Sequence, residues 1–500
     1  MTERVRRAGV LLPISALPSA QGIGCFSEEA YRFVDMLADG GQRVWQILPL
    51  CPTSLGDSPY QSPCSFGGNP YFISLQALAI EGLLDWSDLD DGHTGNIDYG
   101  YIYRSRYPLL RKAYGRFCER AKTEAYGAFL AENCLWVEDM ALFMAIKEQL
   151  GGAPLWEFPA ELREREPSAL AKKRQELSFE IGFWRFLQFK FFEQWRALRA
   201  YANSRGISIM GDIPIYVSAD SADVWTAPRL FELDSGGAPL TVAGCPPDGF
   251  SPRGQLWGNP VYDWSEHRKD GFAWWKARIS HAFSMYDIVR IDHFRGFEAY
   301  YSVPAAAVDA TDGYWRRALG EELFSEIKKT SGQGEIIAED LGYMTEGVRA
   351  LLSRCGFSGM KIVQFGFDGG DMDFSSDHLP CNYPERSVAY TGTHDNPTLV
   401  QWLEGLSEKG EDMLRRYILD SVTDKMRLPD KLIALAMQSP SELCVIPMQD
   451  YLGIGKEGRM NTPASASGNW SWRMRAEDIS RENASRIRYF AEISGRASER

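Results

Sequence analysis

The sequence is short of histidine, of excess positive charge and of long apolar runs. Its 500 residues contain six histidines and no HxxxH, HExxH or CxxC pattern, so the spacings typical of zinc sites are absent. The formal net charge of −13 argues against a nucleic-acid or anionic-membrane partner, because both require a basic face. No window approaches the roughly 18 apolar residues that a membrane-spanning helix needs. These absences are compatible with a protein that acts on a neutral substrate.

The cysteines do not indicate a disulfide framework. They are odd in number and widely spaced, at positions 25, 51, 64, 118, 134, 245, 355, 381 and 444. Reduced thiols in the cytoplasm fit this pattern, and we therefore expect a cytoplasmic location. The basic start, with Arg4, Arg6 and Arg7 ahead of AGVLLPISALPSA, leaves a cleaved signal peptide as an alternative. Pro13 and Pro18 interrupt that stretch, so we interpret AGVLL as the first β-strand.

Short apolar runs recur along the chain, each followed by polar or glycine-rich sequence. There are eight, at residues 9–15, 43–50, 206–217, 286–294, 335–342, 360–368, 387–396 and 443–450. Each run is continuously apolar, as in strands of a parallel sheet that are buried on both faces. Segments with helical periodicity, such as 27–41 and 314–329, lie between several of them. The alternation predicts an α/β fold of the (β/α)8 TIM-barrel type.

Two segments depart from this alternation. Residues 54–204 separate the second and third runs, and we interpret them as a large, mostly helical insertion. Residues 228–263 follow the third run and are rich in glycine and proline, which predicts a long substrate-covering loop. The chain ends about 50 residues after the eighth run in a mostly helical stretch, so we expect no C-terminal β-domain. The whole chain, 1–500, is then a single catalytic barrel unit.

Acidic residues recur at the carboxyl ends of the predicted strands. They are Asp212, Asp292, Glu339, Asp395 and Asp450. The carboxyl ends of the strands form the active-site face of a TIM barrel, so we expect these five side chains to converge on one mouth. An alternative is that an acid caps the helix that follows, which would account for one or two of them.

Three of these acids suit the cleavage of a bond between sugars, which needs a proton donor and a second carboxylate. The candidates are Asp292, Glu339 and Asp395. Arg290 lies on the same side of its strand as Asp292, so its charge should keep that carboxylate ionised, although a purely structural ion pair is the alternative. Glu339 stands among apolar neighbours and near other acids, which should raise its pKa and suit it to act as the acid. Strand alternation should point Asp340 to the opposite side.

His394 and Asp395 form a pair that also occurs in metal-dependent phosphohydrolases. That chemistry needs further histidine and aspartate ligands at helical spacing, and the sequence offers none. We therefore predict no metal site.

Four segments of this chain closely resemble the signature regions of one enzyme family. GDIPIYV, VRIDHFRGF, IIAEDLG and YTGTHDN are similar to those of the 4-α-glucanotransferases, also called amylomaltases or disproportionating enzymes, which are relatives of the α-amylases. Residues 57–75, 246–264 and 459–473 look like the same family, so the resemblance covers nearly the whole chain. One departure is Pro397 in HDNPT, which removes a backbone donor and should have only a local effect.

The resemblance implies roles for individual residues. Asp292 matches the nucleophile that forms a covalent glucosyl ester, Glu339 the general acid and base, and Asp395 the third carboxylate, which stabilises the transition state. The residues that the resemblance places around the substrate are Tyr60, Asp212, Trp257, Arg290, His394, Asp368 and Asn461.

The activity that the resemblance implies is the transfer of an α-1,4-glucan segment to the 4-hydroxyl of an acceptor. The mechanism would be a retaining double displacement without cofactor or metal. The expected substrates are maltooligosaccharides, amylose or other α-1,4-glucans, with glucose or maltose as acceptor. Two alternatives stay open: a hydrolase of the α-amylase type, in which water is the acceptor, and a non-catalytic glucan-binding protein.

Overall fold

The computed structural model describes residues 6–89, 93–121, 123–247, 251–330, 334–368, 374–422, 424–463, 465 and 467–498. Arg4 of the basic start lies outside them, as do residues 248–250 of the predicted loop. The strands of the described residues are β1 Arg7–Leu11, β2 Val44–Gln46, β3 Ser208–Ile213, β4 Thr241–Cys245, β5 Gln255–Pro260, β6 Ile288–Ile291, β7 Ala299–Pro304, β8 Tyr314–Arg317, β9 Glu335–Ala338, β10 Gly359–Ile362, β11 Ser387–Tyr390 and β12 Leu443–Pro447.

Eight of these strands form a parallel sheet in the order β10-β11-β12-β1-β2-β3-β6-β9. Its two ends meet, because Ile337 of β9 forms a parallel bridge with Ser358, one residue before β10. The amide of Ala338 also donates to the carbonyl of Ser358 at 2.9 Å. Each strand overlaps one of the eight predicted apolar runs, and the interiors of the strands are almost completely buried. The prediction of a (β/α)8 barrel is confirmed.

The helices of the described residues are α1 Glu28–Asp39, α2 Leu75–Ile80, α3 Tyr99–Cys118, α4 Glu124–Glu132, α5 Val137–Gln149, α6 Ala160–Arg163, α7 Pro167–Glu176, α8 Ser178–Ser204, α9 Ala222–Thr226, α10 Trp264–Lys269, α11 Ala273–Met285, α12 Gly320–Thr330, α13 Glu346–Cys355, α14 Leu399–Gly405, α15 Glu408–Tyr417, α16 Leu428–Gln438, α17 Met448–Leu452 and α18 Arg481–Ile493. None of them is long and apolar enough to cross a bilayer.

Local sequence sets the limits of these helices, as α13 illustrates. The Thr345 side chain accepts a hydrogen bond from the amide of Val348 and so caps the first turn. Gly356 ends the helix in the left-handed conformation, with φ of 68°, which glycine adopts without steric cost. Between these caps, Val348, Leu351 and Cys355 recur at helical spacing and are buried, which fixes the helix face that packs inward.

Seven helices, α2 to α8, lie between β2 and β3. The longest, α8, has 27 residues and buries a row of aromatic side chains that includes Phe183, Phe186 and Trp195. The amide side chains of Gln188 and Gln194 on this helix bind backbone groups of Gly68 and Ser74, and so join the helix to the segment that follows β2. The limits of the predicted insertion at 54 and 204 remain a prediction.

The predicted loop at 228–263 is wrong as a description of the backbone. Its described residues contain β4 and β5, which pair antiparallel, and β4 also pairs with β7, which pairs with β8. Glycine and proline in this segment favoured a loop, but the extended runs TVAGC and QLWGNP satisfy their backbone groups in a second sheet. Strands β7 and β8 were not predicted, although the run AYYSVP of β7 is rich in the tyrosine and valine that strands favour.

The last barrel strand is followed by α17 and α18, and no strand occurs after β12 in the described part of the chain. Helix α18 packs on α1, which brings the two ends of the chain together. All nine cysteines lie in described residues, and none of them forms a disulfide.

Candidate active site

A cavity of about 780 Å³ opens at the carboxyl ends of β3, β6 and β11. Asp292 directly follows β6, and Asp395 lies in the turn after β11. The predicted site residues that line this cavity are Tyr60, Trp257, Asp292, His394, Asp395 and Asn461. Glu339 directly follows β9 and adjoins the cavity through His293, whose backbone amide donates to its Oε2 at 2.7 Å.

Arg290 joins two of the acids in the barrel interior. Its Nη1 lies 2.6 Å from Oδ2 of Asp212 and 3.0 Å from Oδ1 of Asp292. The Tyr60 hydroxyl donates to the same Oδ2 of Asp212 at 2.7 Å. Burial lowers the pKa of Arg290, but the two carboxylates outweigh it and the net shift is upward. The guanidinium is therefore a permanent charge at the base of the cavity, on the side of the strand that alternation predicted.

Arg290 has a smaller net effect on the pKa of Asp292 than the sequence suggested. Burial raises its pKa to about 6, because that effect, together with the charges of Asp212 and Asp395, exceeds the lowering by Arg290. Arg290 thus offsets part of the cost of burying the carboxylate rather than holding its pKa below the ordinary value. Asp292 is still mostly ionised at neutral pH.

The pKa of Glu339 is raised further above its ordinary value than that of Asp292. Burial and the charge of Asp292 raise its pKa to about 8, against the lowering by Arg290 and by the amide of Leu341, which donates to Oε1 at 2.9 Å. Its neighbour Asp340 points away, because its Oδ1 accepts from the amide of Met360. The predicted alternation of these two acids is therefore confirmed, and Glu339 is the member protonated at neutral pH.

The pKa of Asp395 is lowered, in contrast to those of Asp292 and Glu339. Burial raises its pKa, but the imidazole of His394 and the amide of Asn461 outweigh this and lower it to about 2. The Asn461 Nδ2 donates to Oδ1 of Asp395 at 2.6 Å, and His394 Nε2 lies 3.3 Å from Oδ2. Asp395 is therefore ionised throughout the physiological range.

Aromatic rings line the rest of the cavity. Tyr60 stacks on His394 with ring centroids 5.4 Å apart, and Trp470 is tilted against both rings. Trp257 on β5 meets the edge of His293 at 4.9 Å. Sequence reasoning assigned no role to Trp470 or His293. Both have a left-handed backbone conformation, which a sequence pattern does not reveal for a non-glycine residue.

Two acids lie elsewhere. The prediction that five acids share one mouth is wrong for Asp450, whose carboxylate accepts from Thr391 Oγ1 at 2.6 Å and from the first amide of α14, Leu399, at 2.8 Å. Asp450 lies within α17, and its carboxylate binds the start of α14, whose N-cap is Thr398. It therefore does not cap the helix that follows its own strand, which was the alternative considered for one or two of the acids. Asp368 is exposed, accepts from the Trp402 indole at 2.6 Å and does not line the cavity.

The part of the chain that the structure describes contains no group of three or more histidine, cysteine, aspartate or glutamate side chains that could hold a metal ion. The chemistry available at the cavity is that of three carboxylates held in different protonation states beside a fixed guanidinium. A parallel eight-stranded barrel with this arrangement at its mouth defines an enzyme that acts on glycosidic bonds through carboxylates.

Comparison with known proteins identifies the family. The family model described as 4-alpha-glucanotransferase matches residues 12–479, and the chain belongs to this family. The chain is 44% identical to the 4-alpha-glucanotransferase of Thermus thermophilus over 502 residues, which covers 99% of this chain and 100% of that one. It is 45% identical to the enzyme of Streptococcus pneumoniae, over 95% of this chain and 94% of that one.

A solved structure agrees with the sequence relatives. The amylomaltase from Streptococcus agalactiae, in complex with acarbose, superposes with a TM-score of 0.95 at 42% identity, covering 98% of this chain and 100% of that chain. The predicted activity is confirmed: the protein transfers segments of α-1,4-glucan by a retaining double displacement through a covalent aspartyl intermediate.

Proposed function

We propose that Asp292 is the nucleophile of the glucan transfer, that Glu339 is its general acid and base, and that Asp395 stabilises the transition state. The observation that carries this assignment is the contrast in pKa between Asp292, at about 6, and Glu339, at about 8. At neutral pH one carboxylate is ionised and the other holds a proton, as the first half of a retaining reaction requires.

In the first half-reaction, Asp292 attacks the anomeric carbon of the donor and the glycosidic bond breaks. Glu339 gives its proton to the departing oxygen, and the shortened glucan leaves with a new hydroxyl. The ionised Asp395, fixed by Asn461, supplies negative charge where positive charge develops on the sugar. Loss of the Asp292 charge on ester formation leaves Arg290 paired with Asp212 alone.

In the second half-reaction, the 4-hydroxyl of an acceptor attacks the ester and Glu339, now ionised, takes its proton. The anomeric configuration is retained because two inversions occur. We propose glucose, maltose and longer maltooligosaccharides as acceptors. Water must be kept from the ester, and Trp257 and the strand that carries it are suited to this because Gln61 binds both the Trp257 carbonyl and Asn259 on β5.

We place the remaining predicted residues around the substrate in the same proposal. Tyr60 and His394 form a stacked pair suited to the face of the sugar next to the cleaved bond, and Asp212 holds Tyr60 and Arg290 together. The placement of Asp368 outside the cavity gives it no support as a substrate-binding residue. The chain acts as one catalytic unit in this proposal, and its nine cysteines, none in a disulfide, support a cytoplasmic location.

The test is incubation of the protein with maltotriose, with and without EDTA, followed by chromatography of the products. Glucose together with maltopentaose and longer chains, unaffected by EDTA, is the expected result. Asp292→Asn should abolish the formation of glucose and of the longer chains, whereas Asp377→Asn, a matched change at an exposed aspartate outside the cavity, should retain it. Maltose and glucose as the only products would mean that water is the acceptor. Full activity in Asp292→Asn would overturn the assignment of the nucleophile.

A further inference from the structure

A second cleft, of about 450 Å³, lies between the helices that separate β2 from β3 and α11. None of the predicted site residues lines it. Its wall is aromatic: Phe66 and Trp136 are stacked with centroids 6.5 Å apart, Trp274 meets Phe66 edge-on at 6.4 Å, and His281 lies 5.3 Å from Phe66. All four rings are half-buried, so each keeps a face or edge open to a ligand.

The rim of this cleft carries uncharged polar side chains beside a few charged ones. Thr226, Ser280 and Ser284 line it alongside the aromatic wall. Burial lowers the pKa of His281 to about 4, so its imidazole is neutral at physiological pH; one ring nitrogen is engaged by the Phe66 backbone, which leaves the other for a ligand. A sugar ring has an apolar face of C–H groups and an edge of hydroxyls. Flat rings beside hydroxyl and imidazole groups match both.

The charges at the cleft argue against an anionic ligand. Three carboxylates, those of Glu132, Asp139 and Asp223, line it with the single cation Arg196 among the described residues. Arg196 is already paired with Glu132 at 3.1 Å, and both oxygens of Asp223 accept hydrogen bonds from Ser65. Asp139 is paired with Arg165 and Arg174, so a phosphate or nucleotide would find no unpaired cation among these lining residues, whereas a neutral oligosaccharide needs none.

The cleft and the first cavity are close neighbours. Gln61 lines the first cavity and Phe66 lines the cleft, and five residues of chain span at most about 18 Å. Arg278 packs on Trp274, with its guanidinium carbon 5.2 Å from the ring centroid. It also donates to the carbonyls of Pro214 and Ile215, at 2.6 and 3.0 Å, and these two residues line the first cavity. One layer of side chains therefore separates the two sites.

We propose that this cleft is a second α-1,4-glucan site, which holds a remote part of a long chain while the first cavity reacts. The inference rests on the proposed assignment of the first cavity as the active site. Once a long glucan is bound at one site, its binding at the other is intramolecular, so its overall affinity increases. A trisaccharide fills only one site and has no such increase in affinity. The cleft thus favours long donors without taking part in the chemistry.

The binding test uses the full chain with Asp292→Asn, which does not turn over its ligand, titrated calorimetrically with maltoheptaose. Two sites per chain are expected, and one site after Trp136→Ala is added. Trp86→Ala, which removes an exposed tryptophan outside the cleft, is the matched control and should leave two sites. A single site in the starting protein, or two sites after Trp136→Ala, would overturn the proposal.

The activity test uses the active enzyme with two cleft variants of opposite kind. Trp136→Ala removes part of the wall, and Ala277→Trp fills the cleft from an exposed position on α11. Both should raise KM for amylose about tenfold, as expected when a second contact is lost, and leave maltotriose kinetics unchanged. Unchanged amylose kinetics in the stably folded Ala277→Trp enzyme would overturn the proposal. The active-site assignment has a separate test: the single variant Asp292→Asn should lose maltotriose transfer.

Discussion

Arg290 is the residue on which the charges of the cavity depend. It is buried and pairs with the fully buried Asp212 and with Asp292, whose side chain is 27% exposed to the cavity, so a single cation compensates two carboxylates. Such a group contributes less through its own attraction than through the cost of removing it, because the carboxylates would then be buried without compensation. Arg290, the first of the two arginines in VRIDHFRGF, therefore supports both the stability of the barrel and the ionisation of Asp292.

Replacement of Arg290 should change stability and pH dependence together. Arg290→Gln leaves the carboxylates of Asp212 and Asp292 without a cation, which should cost about 3–5 kcal/mol of unfolding free energy. The pKa of Asp292 should rise, so the acid limb of activity moves to higher pH. Denaturant unfolding and a pH–rate profile measure the two effects. Arg349→Gln, in an exposed pair with Asp377, should cost no more than about 1 kcal/mol and leave the profile unchanged.

The pKa values of Asp292 and Glu339 predict a bell-shaped pH profile. The reaction needs ionised Asp292, so kcat/KM should fall below about pH 6, and it needs protonated Glu339, so kcat/KM should fall above about pH 8. Maltotriose transfer measured across this range gives both limbs. With maltosyl fluoride as donor the leaving group needs no proton, so the alkaline limb of ester formation should disappear. Its persistence would count against Glu339 as the acid.

At the scale of elements, the antiparallel sheet β5-β4-β7-β8 supplies what the barrel lacks, a wall beside the carboxylates. Strand β5 carries Trp257 into the cavity, and Asn259 two residues later is buried. Asn259 donates to the carbonyl of Val217 at 2.8 Å and accepts from Gln61 at 3.0 Å. These bonds fix the strand to the segment after β3 and to the segment after β2, and so hold the wall closed over the acceptor side.

Loosening this wall should admit water to the covalent intermediate. Asn259→Ala removes the bonds to Val217 and Gln61 while leaving the carboxylates in place. We expect the ratio of hydrolysis to transfer to rise, by about tenfold if about 1.4 kcal/mol of closure is lost. The measurement is free reducing ends formed per transfer event with maltotriose. Asn382→Ala, an exposed asparagine outside the cavity, is the control, and an equal rise there would show that the wall is not the cause.

At the scale of the whole molecule, the segment after α18 is fixed to the barrel beside the paired strands β1 and β12. Arg496, which follows α18, is completely buried and donates to the carbonyls of Arg7 on β1, of Met437 on α16, and of Ser439 and Ser441 ahead of β12. One side chain therefore joins the last residues to the first strand and the last strand. The guanidinium supplies these buried carbonyls with hydrogen-bond donors.

Removal of the Arg496 guanidinium should destabilise the barrel without changing the transfer reaction at the active site. Arg496→Met removes the guanidinium donor from the buried carbonyls of Arg7, Met437 and Ser441, whereas Ser439 keeps a donor in Arg6. The loss should cost about 3 kcal/mol. Denaturant unfolding would measure the loss, and maltotriose transfer below the unfolding transition should be unchanged. Arg481→Met, at an exposed position at the start of α18, is the matched control and should cost less than about 0.5 kcal/mol. Equal losses in the two variants would contradict the role of Arg496.

Sequence pattern predicted most of the barrel because parallel strands buried on both faces are continuously apolar, and all eight runs have this property. It failed for the small sheet of β4, β5, β7 and β8: β4 and β5 lie in a segment with the glycine and proline content of a loop, and β7 and β8 were not predicted. Pairing between strands that are distant in sequence satisfies their backbone groups, and a local pattern does not report such partners.

For the site, the sequence by itself determined which residue types end the strands, and strand alternation placed Arg290 beside Asp292 and separated Glu339 from Asp340. Only the tertiary structure decided which acids share the cavity and in what protonation state. Asp450 follows a barrel strand by three residues but lies within α17, and its carboxylate accepts from Thr391 and from the Leu399 amide of α14 instead of facing the cavity. The pKa values of Asp292 and Glu339 depend on burial and on charges from different strands, and these distances exist only after the barrel has closed.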